Sequence, residues 1–200
     1  MLDIEFISLG NNIEGIPNLS VYPYSKPTAA ALYAAKVHAM LNVKKKYFCF
    51  LDGGNDTLPV NFLERCEHMT DTMNEKNISI SYGDEMSGPM LLRGYEFSKD
   101  RAFDFPFLLH HAVICNTEMA KSLDWPMGCY WHERMCYTRL AFNSHYYYPG
   151  IQYIWYPSEN GAARWIDTGR AIQNSKNYIL GLKENHKDID LSTNTDNCFR

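Results

Sequence analysis

Apolar and polar residues alternate in blocks along the first half of the chain, and the blocks differ in length. Short β-rich blocks predict strands over residues 3–10, 19–24, 46–52 and 77–83. Longer blocks with a proline near their start predict helices over residues 26–43 and 58–75. The run at 46–52 is continuously apolar, as in a central strand covered on both faces. Strands that alternate with helices predict an α/β fold in which helices flank a mainly parallel central sheet.

The pattern is less regular in the second half of the chain. Residues 84–104 carry glycines, a proline and both signs of charge, which indicates a mobile loop or a short hairpin. A strand or short helix is expected near residues 110–115, followed by a helix that Asn116 or Thr117 caps. The remaining expectations are a helix over 129–144, a hairpin or pair of strands turning at Pro149 and Gly150, and a peripheral helix over 171–186.

The composition is that of one soluble domain. Of the 200 residues, 46% are apolar and 21% are charged, which is ordinary for a globular protein with one core. We assign residues 1–166 to the domain and 167–200 to a C-terminal peripheral helix and polar tail. No apolar run nears the roughly 18 residues of a membrane span, and the acidic start lacks the basic region of a signal peptide. We therefore expect a cytoplasmic protein without a membrane span.

Charge and cysteine content narrow the classes of function. A net charge of −4 disfavours a broad nucleic-acid-binding surface, which usually needs an excess of basic residues. The six cysteines show no CxxC spacing, so we expect reduced and mostly buried thiols, not disulfides or a zinc site.

Two acidic residues surround a glycine pair directly after the longest apolar strand. Asp52 and Asp56 flank Gly53, Gly54 and Asn55 at the carboxyl end of this strand, where ligands bind in α/β sheets. Carboxylate oxygens there suit Mg²⁺ or Mn²⁺, which in turn contact substrate phosphates, and glycines let a bulky ligand approach. The same residues are good turn formers, so a purely structural turn is the alternative.

Two further groups are candidates for acid–base chemistry. His132 and Glu133 lie at the start of a predicted helix, where either could face a cleft as a general base. For Glu133 the alternative is stabilisation of the helix start through the helix dipole. His110 and His111 form another pair, for which packing and hydrogen bonding are the alternative to catalysis.

Taken in order, these segments resemble the GT-A glycosyltransferases, particularly the family-2-like group. The resemblance covers residues from about Asp3 to Arg164 and rests on "CFLDGGND", "TLPVNFLE", "HHAVICNTEMAKSLDW" and "HERMCYTRLAF". In this comparison Asp52 matches the first acid of the family's DxD motif, and Asn55 or Asp56 replaces the second. Glu133 matches the acidic pair of a later helix, with His132 where the family usually has Glu.

The resemblance implies a single Rossmann-like GT-A domain that moves a sugar from a nucleotide-sugar donor to a hydroxyl acceptor, such as a glycan, with inversion. It also implies Mn²⁺ or Mg²⁺ at Asp52 and Asp56, and Glu133 or His132 as the catalytic base. The implied donor contacts are Asp52, Gly53, Gly54, Asn55 and Arg164, and the implied acceptor contacts are Arg93, His110 and His111, with Asp84 and Glu85 nearby. Two alternatives stay open: transfer to a hydroxymethylated DNA base, and a GT-A-like domain that binds a nucleotide, glycan or partner without catalysis.

Overall fold

The computed structural model of the chain describes residues 2–10, 12–22, 29–51, 57–92, 97–98, 111–123 and 132–156. At residues 29–33, 92, 132, 134 and 135 it describes the backbone alone. The strands in this part of the chain are β1 (Ile4–Leu9), β2 (Leu19–Tyr22), β3 (Tyr47–Leu51), β4 (Ile80–Ser87), β5 (Met90–Leu92), β6 (Ile114–Asn116) and β7 (His145–Trp155). The helices are α1 (Ala29–Asn42), α2 (Phe62–Lys76), α3 (Thr117–Lys121) and α4 (His132–Asn143).

The order of elements from β1 to β4 confirms the α/β alternation that the sequence predicts. Asn116 is the residue that caps α3, because its side chain accepts a hydrogen bond from the backbone nitrogen of Met119. No helix in the described part of the chain is long and apolar enough to cross a membrane. The predicted domain boundary after residue 166 and the predicted helix over 171–186 lie outside the described residues.

The seven strands form one mixed sheet. β2, β1, β3, β6 and β4 lie side by side in that order, and β5 and β7 both pair with β4. β1 is parallel to β2 and to β3, and β4 is parallel to β7. β6 is antiparallel to β3 and to β4, and β5 is antiparallel to β4.

The expected mainly parallel sheet is therefore corrected to one in which half of the strand pairings are antiparallel. β5 is antiparallel because it follows β4 through a tight connection at Gly88 and Pro89, which is too short for a crossover helix. β6 lies between β3 and β4 and runs against both. Since β1, β2, β3, β4 and β7 still share one direction, their C-terminal ends meet at one end of the sheet. We call it the carboxyl end.

Two buried clusters cover the two faces of the sheet. β3 contributes to both, because all five of its residues are buried and successive side chains point to opposite faces. The α1-side cluster includes Ile7, Met40, Phe48, Phe50, Tyr82, Tyr137 and Leu140. The α2-side cluster includes Ile4, Phe6, Cys49, Leu51, Met69, Ala112, Ile114 and Tyr153. The continuous apolar run that predicted a central strand is thus confirmed.

The predicted turn at Pro149 and Gly150 is wrong, because residues 145–155 form one strand, β7, parallel to β4. The chain bulges instead of turning. Tyr82 pairs with Tyr147 and Glu85 pairs with Tyr153, so β7 uses six residue steps where β4 uses three. Gly150 has φ of +111°, a conformation that glycine adopts readily and other residues do not.

Polar side chains hold this bulge from two sides. The guanidinium of Arg65, in α2, donates to the carbonyls of Tyr148, Pro149 and Gly150 at 2.8, 3.0 and 3.0 Å. Asp84, in β4, accepts hydrogen bonds from the Gly150 nitrogen at 2.9 Å and from the Tyr147 hydroxyl at 2.6 Å. These bonds satisfy backbone groups that the interrupted ladder leaves without strand partners, so the strand continues past Pro149.

Candidate functional site

The residues that flank the acidic segment on either side in the sequence, Leu51 and Thr57, both lie at the carboxyl end of the sheet. Residues 52–56, with Asp52, Gly53, Gly54, Asn55 and Asp56, lie outside the described residues. The residue before them, Leu51, is the buried last residue of β3. The residue after them, Thr57, exchanges two backbone hydrogen bonds with Ile154 near the end of β7, at 2.8 and 3.1 Å.

A buried carboxylate lies close to this end of the sheet. Glu85, near the end of β4, has a side chain only 5% exposed. One of its oxygens accepts from the backbone nitrogen of His111 at 3.1 Å and contacts the ring Nδ1 of His111 at 3.0 Å. The other accepts from the indole nitrogen of Trp155 at 3.2 Å. An ionised carboxylate is only an acceptor, so Nδ1 carries the proton in this contact.

Aromatic rings fix the plane of the His111 imidazole. The ring stacks on Tyr153 with centroids 5.1 Å apart and an interplanar angle of 19°. It also contacts Trp155, with centroids 5.6 Å apart. The next residue, Ala112, has φ of +48°, an uncommon conformation for a residue other than glycine. His111 remains 19% exposed, so a ring held on three sides still reaches the surface.

Glu133 forms a second charged group, on the α1 side of the sheet. It lies in the first turn of α4, and its Oε1 is 3.2 Å from Nζ of Lys36 in α1. The side chains of Lys36 and Glu133 are only 5% and 15% exposed. The Lys36 ammonium also lies 5.7 Å from the ring centroid of Phe50, close to the end of β3. Glu133 is thus held by an ion pair, and it packs beside a different buried cluster from His111.

The predicted acceptor residues differ in where they lie. His111 lies at the carboxyl end with Glu85, whereas Arg93 and His110 lie outside the described residues, as does the predicted donor residue Arg164. His132 begins α4, but its side chain is not described. Asp84, which the sequence placed near the acceptor, is buried and holds the β7 bulge instead.

Trp155 is the functional candidate that sequence reasoning missed. It lies 70 residues from Glu85 in the sequence, and its own segment predicted only a hairpin or a pair of strands. The one usable signal was indirect: an aromatic residue near the end of a strand is well placed to contact a neighbouring strand end.

The described thiols are unsuited to nucleophilic or metal chemistry. Cys49, Cys66, Cys115 and Cys136 are buried and form no disulfide, which confirms for these four the reduced, buried thiols that we expected. Burial raises the pKa of Cys66 to about 12, although a hydrogen bond from Gln152 and the charge of Arg65 oppose the shift. Burial also raises the pKa of Cys115 well above its ordinary value. Both groups are therefore neutral thiols near pH 7.

Within the described ranges, no three or more His, Cys, Asp and Glu side chains come together as a metal-binding group. The residues predicted to hold Mn²⁺ or Mg²⁺, Asp52 and Asp56, belong to the segment outside those ranges. Their carboxylates are the hard oxygen ligands that these ions prefer.

Comparison of the sequence with models of known protein families gives no match, and comparison with curated proteins gives none either. The class of the protein therefore rests on the resemblance of its motifs and on the geometry described above.

Proposed function

We propose that the protein is a glycosyltransferase that moves a sugar from a nucleotide-sugar donor to a hydroxyl acceptor, with inversion and with help from a divalent metal ion. The observation that carries this proposal is the attachment of the acidic segment at the carboxyl end of the sheet, through Leu51 on one side and Thr57 on the other. In sheets with parallel strands this end is where ligands bind.

The donor side of the site consists of the acidic segment. Asp52 directly follows Leu51, the last residue of β3, in the sequence. Asp52 and Asp56 would hold Mn²⁺ or Mg²⁺, and Gly53, Gly54 and Asn55 would let the donor diphosphate approach the backbone. When bound, the metal neutralises negative charge that develops on the leaving diphosphate. Arg164 would add a positive charge on the same side.

The acceptor side needs a group that takes a proton from the attacking hydroxyl. The sequence nominates Glu133 and His132 for this role, and Arg93, His110 and His111 for binding the acceptor. Two ionisable pairs among the described residues lie close to strand ends at the carboxyl end. Lys36, which pairs with Glu133, lies over the ring of Phe50, and His111 pairs with Glu85.

Thermal unfolding with ligands tests the donor side. The panel contains nucleoside diphosphates and nucleotide-sugars, each with and without Mn²⁺, on wild type, Asp52→Asn and Asp71→Asn. Asp71 is a matched control because it is an exposed aspartate in α2. A ligand at 100 times its Kd should stabilise wild type and Asp71→Asn by about 2.7 kcal/mol, only with metal, and Asp52→Asn much less.

A turnover measurement on each ligand that binds separates transfer from binding. If a nucleotide-sugar stabilises the protein with Mn²⁺ and its sugar is then released or transferred, the result supports the transferase. Binding without any turnover supports the alternative of a non-catalytic nucleotide-binding domain. A folded wild-type protein that no nucleotide stabilises contradicts the proposal.

A further inference from the structure

We propose that His111, oriented by Glu85, is the base that takes the proton from the acceptor hydroxyl, in the role that the resemblance implies for Glu133 or His132. This inference rests on the proposed glycosyltransferase function and assigns the residue that performs its proton transfer. Glu85 is then a positioning residue, because it acts on the reaction through the imidazole.

The hydrogen bonds of Glu85 determine which ring nitrogen of His111 can accept a proton. Nδ1 lies 3.0 Å from a carboxylate oxygen and carries the proton of that bond. In the neutral ring Nε2 is then the nitrogen with the lone pair. The same carboxylate oxygen accepts from the His111 backbone nitrogen, so the main chain and the ring are held by one group. A base held in one tautomer and one orientation loses little freedom when substrate binds.

Burial and stacking strengthen this arrangement. Glu85 is 5% exposed and receives a third bond from Trp155, while the His111 ring stacks on Tyr153 and is 19% exposed. The carboxylate is thus removed from water. In this less polar environment its negative charge stabilises the imidazolium that forms on proton transfer more strongly than it would in water. Of the described side chains that face the ring, Glu85 and Tyr153 are the titratable ones and Trp155 is neutral.

Glu133 is placed less well for this role. Its carboxylate is 3.2 Å from the Lys36 ammonium, and both side chains are mostly buried. An opposite charge at this distance stabilises the ionised carboxylate and makes it a weaker proton acceptor. The pair has the features of a structural link between α1 and α4.

The direction of β6 brings its first residue, Ile114, towards the carboxyl end of β3, and His111 precedes Ile114 by three residues. β3 and β6 pair as Tyr47 with Asn116, Phe48 with Cys115, and Cys49 with Ile114. Leu51 and Ala112, which lie beyond the last of these pairs, are both buried in the α2-side cluster. Asp52 directly follows Leu51, and His111 directly precedes Ala112. The residue proposed to hold the donor metal and the proposed base are therefore sequence neighbours of two residues that are buried in the same cluster.

The transfer step balances with these groups. The acceptor oxygen forms a bond to the anomeric carbon of the donor sugar. The bond from that carbon to the diphosphate oxygen breaks, and its electron pair leaves with the nucleoside diphosphate. The hydroxyl proton passes to Nε2 of His111, and the resulting imidazolium later releases it to solvent.

The test measures hydrolysis of whichever nucleotide-sugar stabilises the protein, with Mn²⁺ present and water as the acceptor probe. We expect His111→Gln to lower turnover by about 100-fold or more while the Kd for the nucleoside diphosphate stays unchanged. Glu133→Gln should keep more turnover than His111→Gln. His68→Gln is the matched control with unchanged turnover, because the His68 ring also packs against a tyrosine ring, with centroids 4.4 Å apart.

The pH profile tests the positioning role of Glu85. Turnover requires the neutral imidazole, so it rises with pH through the titration of His111. Without the negative charge of the carboxylate the imidazolium is less stable, so Glu85→Gln should move the midpoint of this rise to lower pH. A purely structural role of Glu85 would lower turnover without moving the midpoint.

The outcomes separate the inference from the proposed function. Unchanged turnover in His111→Gln, or a greater loss in Glu133→Gln, overturns the inference and leaves the transferase proposal standing. If His111→Gln does not fold, the Glu85→Gln midpoint decides, and an unmoved midpoint overturns the inference. Wild type that binds no nucleotide in the presence of Mn²⁺ overturns the proposed function, and the inference falls with it.

Discussion

Replacement of Gly150 by alanine should strongly destabilise the protein, because two separate features of the β7 bulge exclude a side chain there. Gly150 has φ of +111°, which an L-residue adopts only with strain. A Cβ atom at this position would lie 2.7 Å from Nη1 and 3.4 Å from Cζ of Arg65. Real contacts are longer, so the guanidinium would have to move away from the carbonyls that it binds.

The cost of each feature can be estimated. Positive φ at a residue other than glycine costs about 1–2 kcal/mol. Loss of one hydrogen bond from a charged donor costs about 1.5–3 kcal/mol. Together they give a loss of about 2.5–5 kcal/mol in the free energy of unfolding, or roughly 5–20 °C in Tm for a chain of this size.

Gly88→Ala is the matched control. Gly88 also has positive φ, +56°, but a Cβ there would meet no atom within 4 Å. Its replacement should cost only about 1–2 kcal/mol, from the backbone alone. Urea unfolding followed by circular dichroism gives both free energies on one scale.

A double-mutant cycle isolates the contact with Arg65. In an Arg65→Met background the guanidinium is absent, so Gly150→Ala should cost about as much as Gly88→Ala costs in wild type. An equal cost of Gly150→Ala in both backgrounds would refute the reasoning, because the clash would then contribute nothing. A cost no larger than that of Gly88→Ala in wild type would refute it as well.

Three further predictions concern buried polar groups. Lys36→Met should destabilise the protein by about 3 kcal/mol in urea unfolding, because the buried Glu133 carboxylate loses its partner ammonium. Adding Glu133→Gln to this variant should recover part of the lost stability. No recovery would argue against the ion pair. Burial raises the pKa of Cys66 from 9.0 to about 12, so the folded state holds this proton more tightly than the unfolded state. The resulting stability is complete below about pH 9 and should fall by on the order of 4 kcal/mol by pH 12, with a smaller fall in Cys66→Ala; equal slopes in the two proteins would contradict the assignment. Ser79→Ala should cost about 1–3 kcal/mol of stability, measured by thermal unfolding. The buried Ser79 hydroxyl donates to the Ser144 carbonyl at 2.7 Å and accepts from the Ser144 nitrogen at 3.0 Å, and both bonds would be lost. A loss below about 0.5 kcal/mol, the range of ordinary surface changes, would contradict this prediction.

Local features of the sequence were sufficient for much of the fold. The apolar run before Asp52 predicted a strand covered on both faces, and every residue of β3 is buried. The asparagine before "TEMAK" was one of two proposed caps, and it accepts the capping bond. Such features are readable because periodicity and capping depend on residues within a few positions of one another.

The direction of β6 and the course of β7 were not readable in the same way. The segment "YYYPGIQYI" has the composition of a turn, and a turn would follow if nothing else held it. Arg65 holds it, from 83 to 85 residues away, by donating to three consecutive carbonyls. Whether Pro149 and Gly150 turn or bulge is thus decided by a helix that packs on the sheet.

For the candidate site, too, some features could be predicted from the sequence and others only from the tertiary structure. The sequence by itself supplied the reactive residues: the acids at Asp52 and Asp56, the histidine pair at His110 and His111, and Glu133 at a helix start. Only the tertiary structure joined His111 to Glu85, 26 residues away, and Glu133 to Lys36, 97 residues away. Residue type determines which chemistry a side chain can perform. Its partner depends on how strands and helices pack around the shared core, and that packing depends on the whole chain.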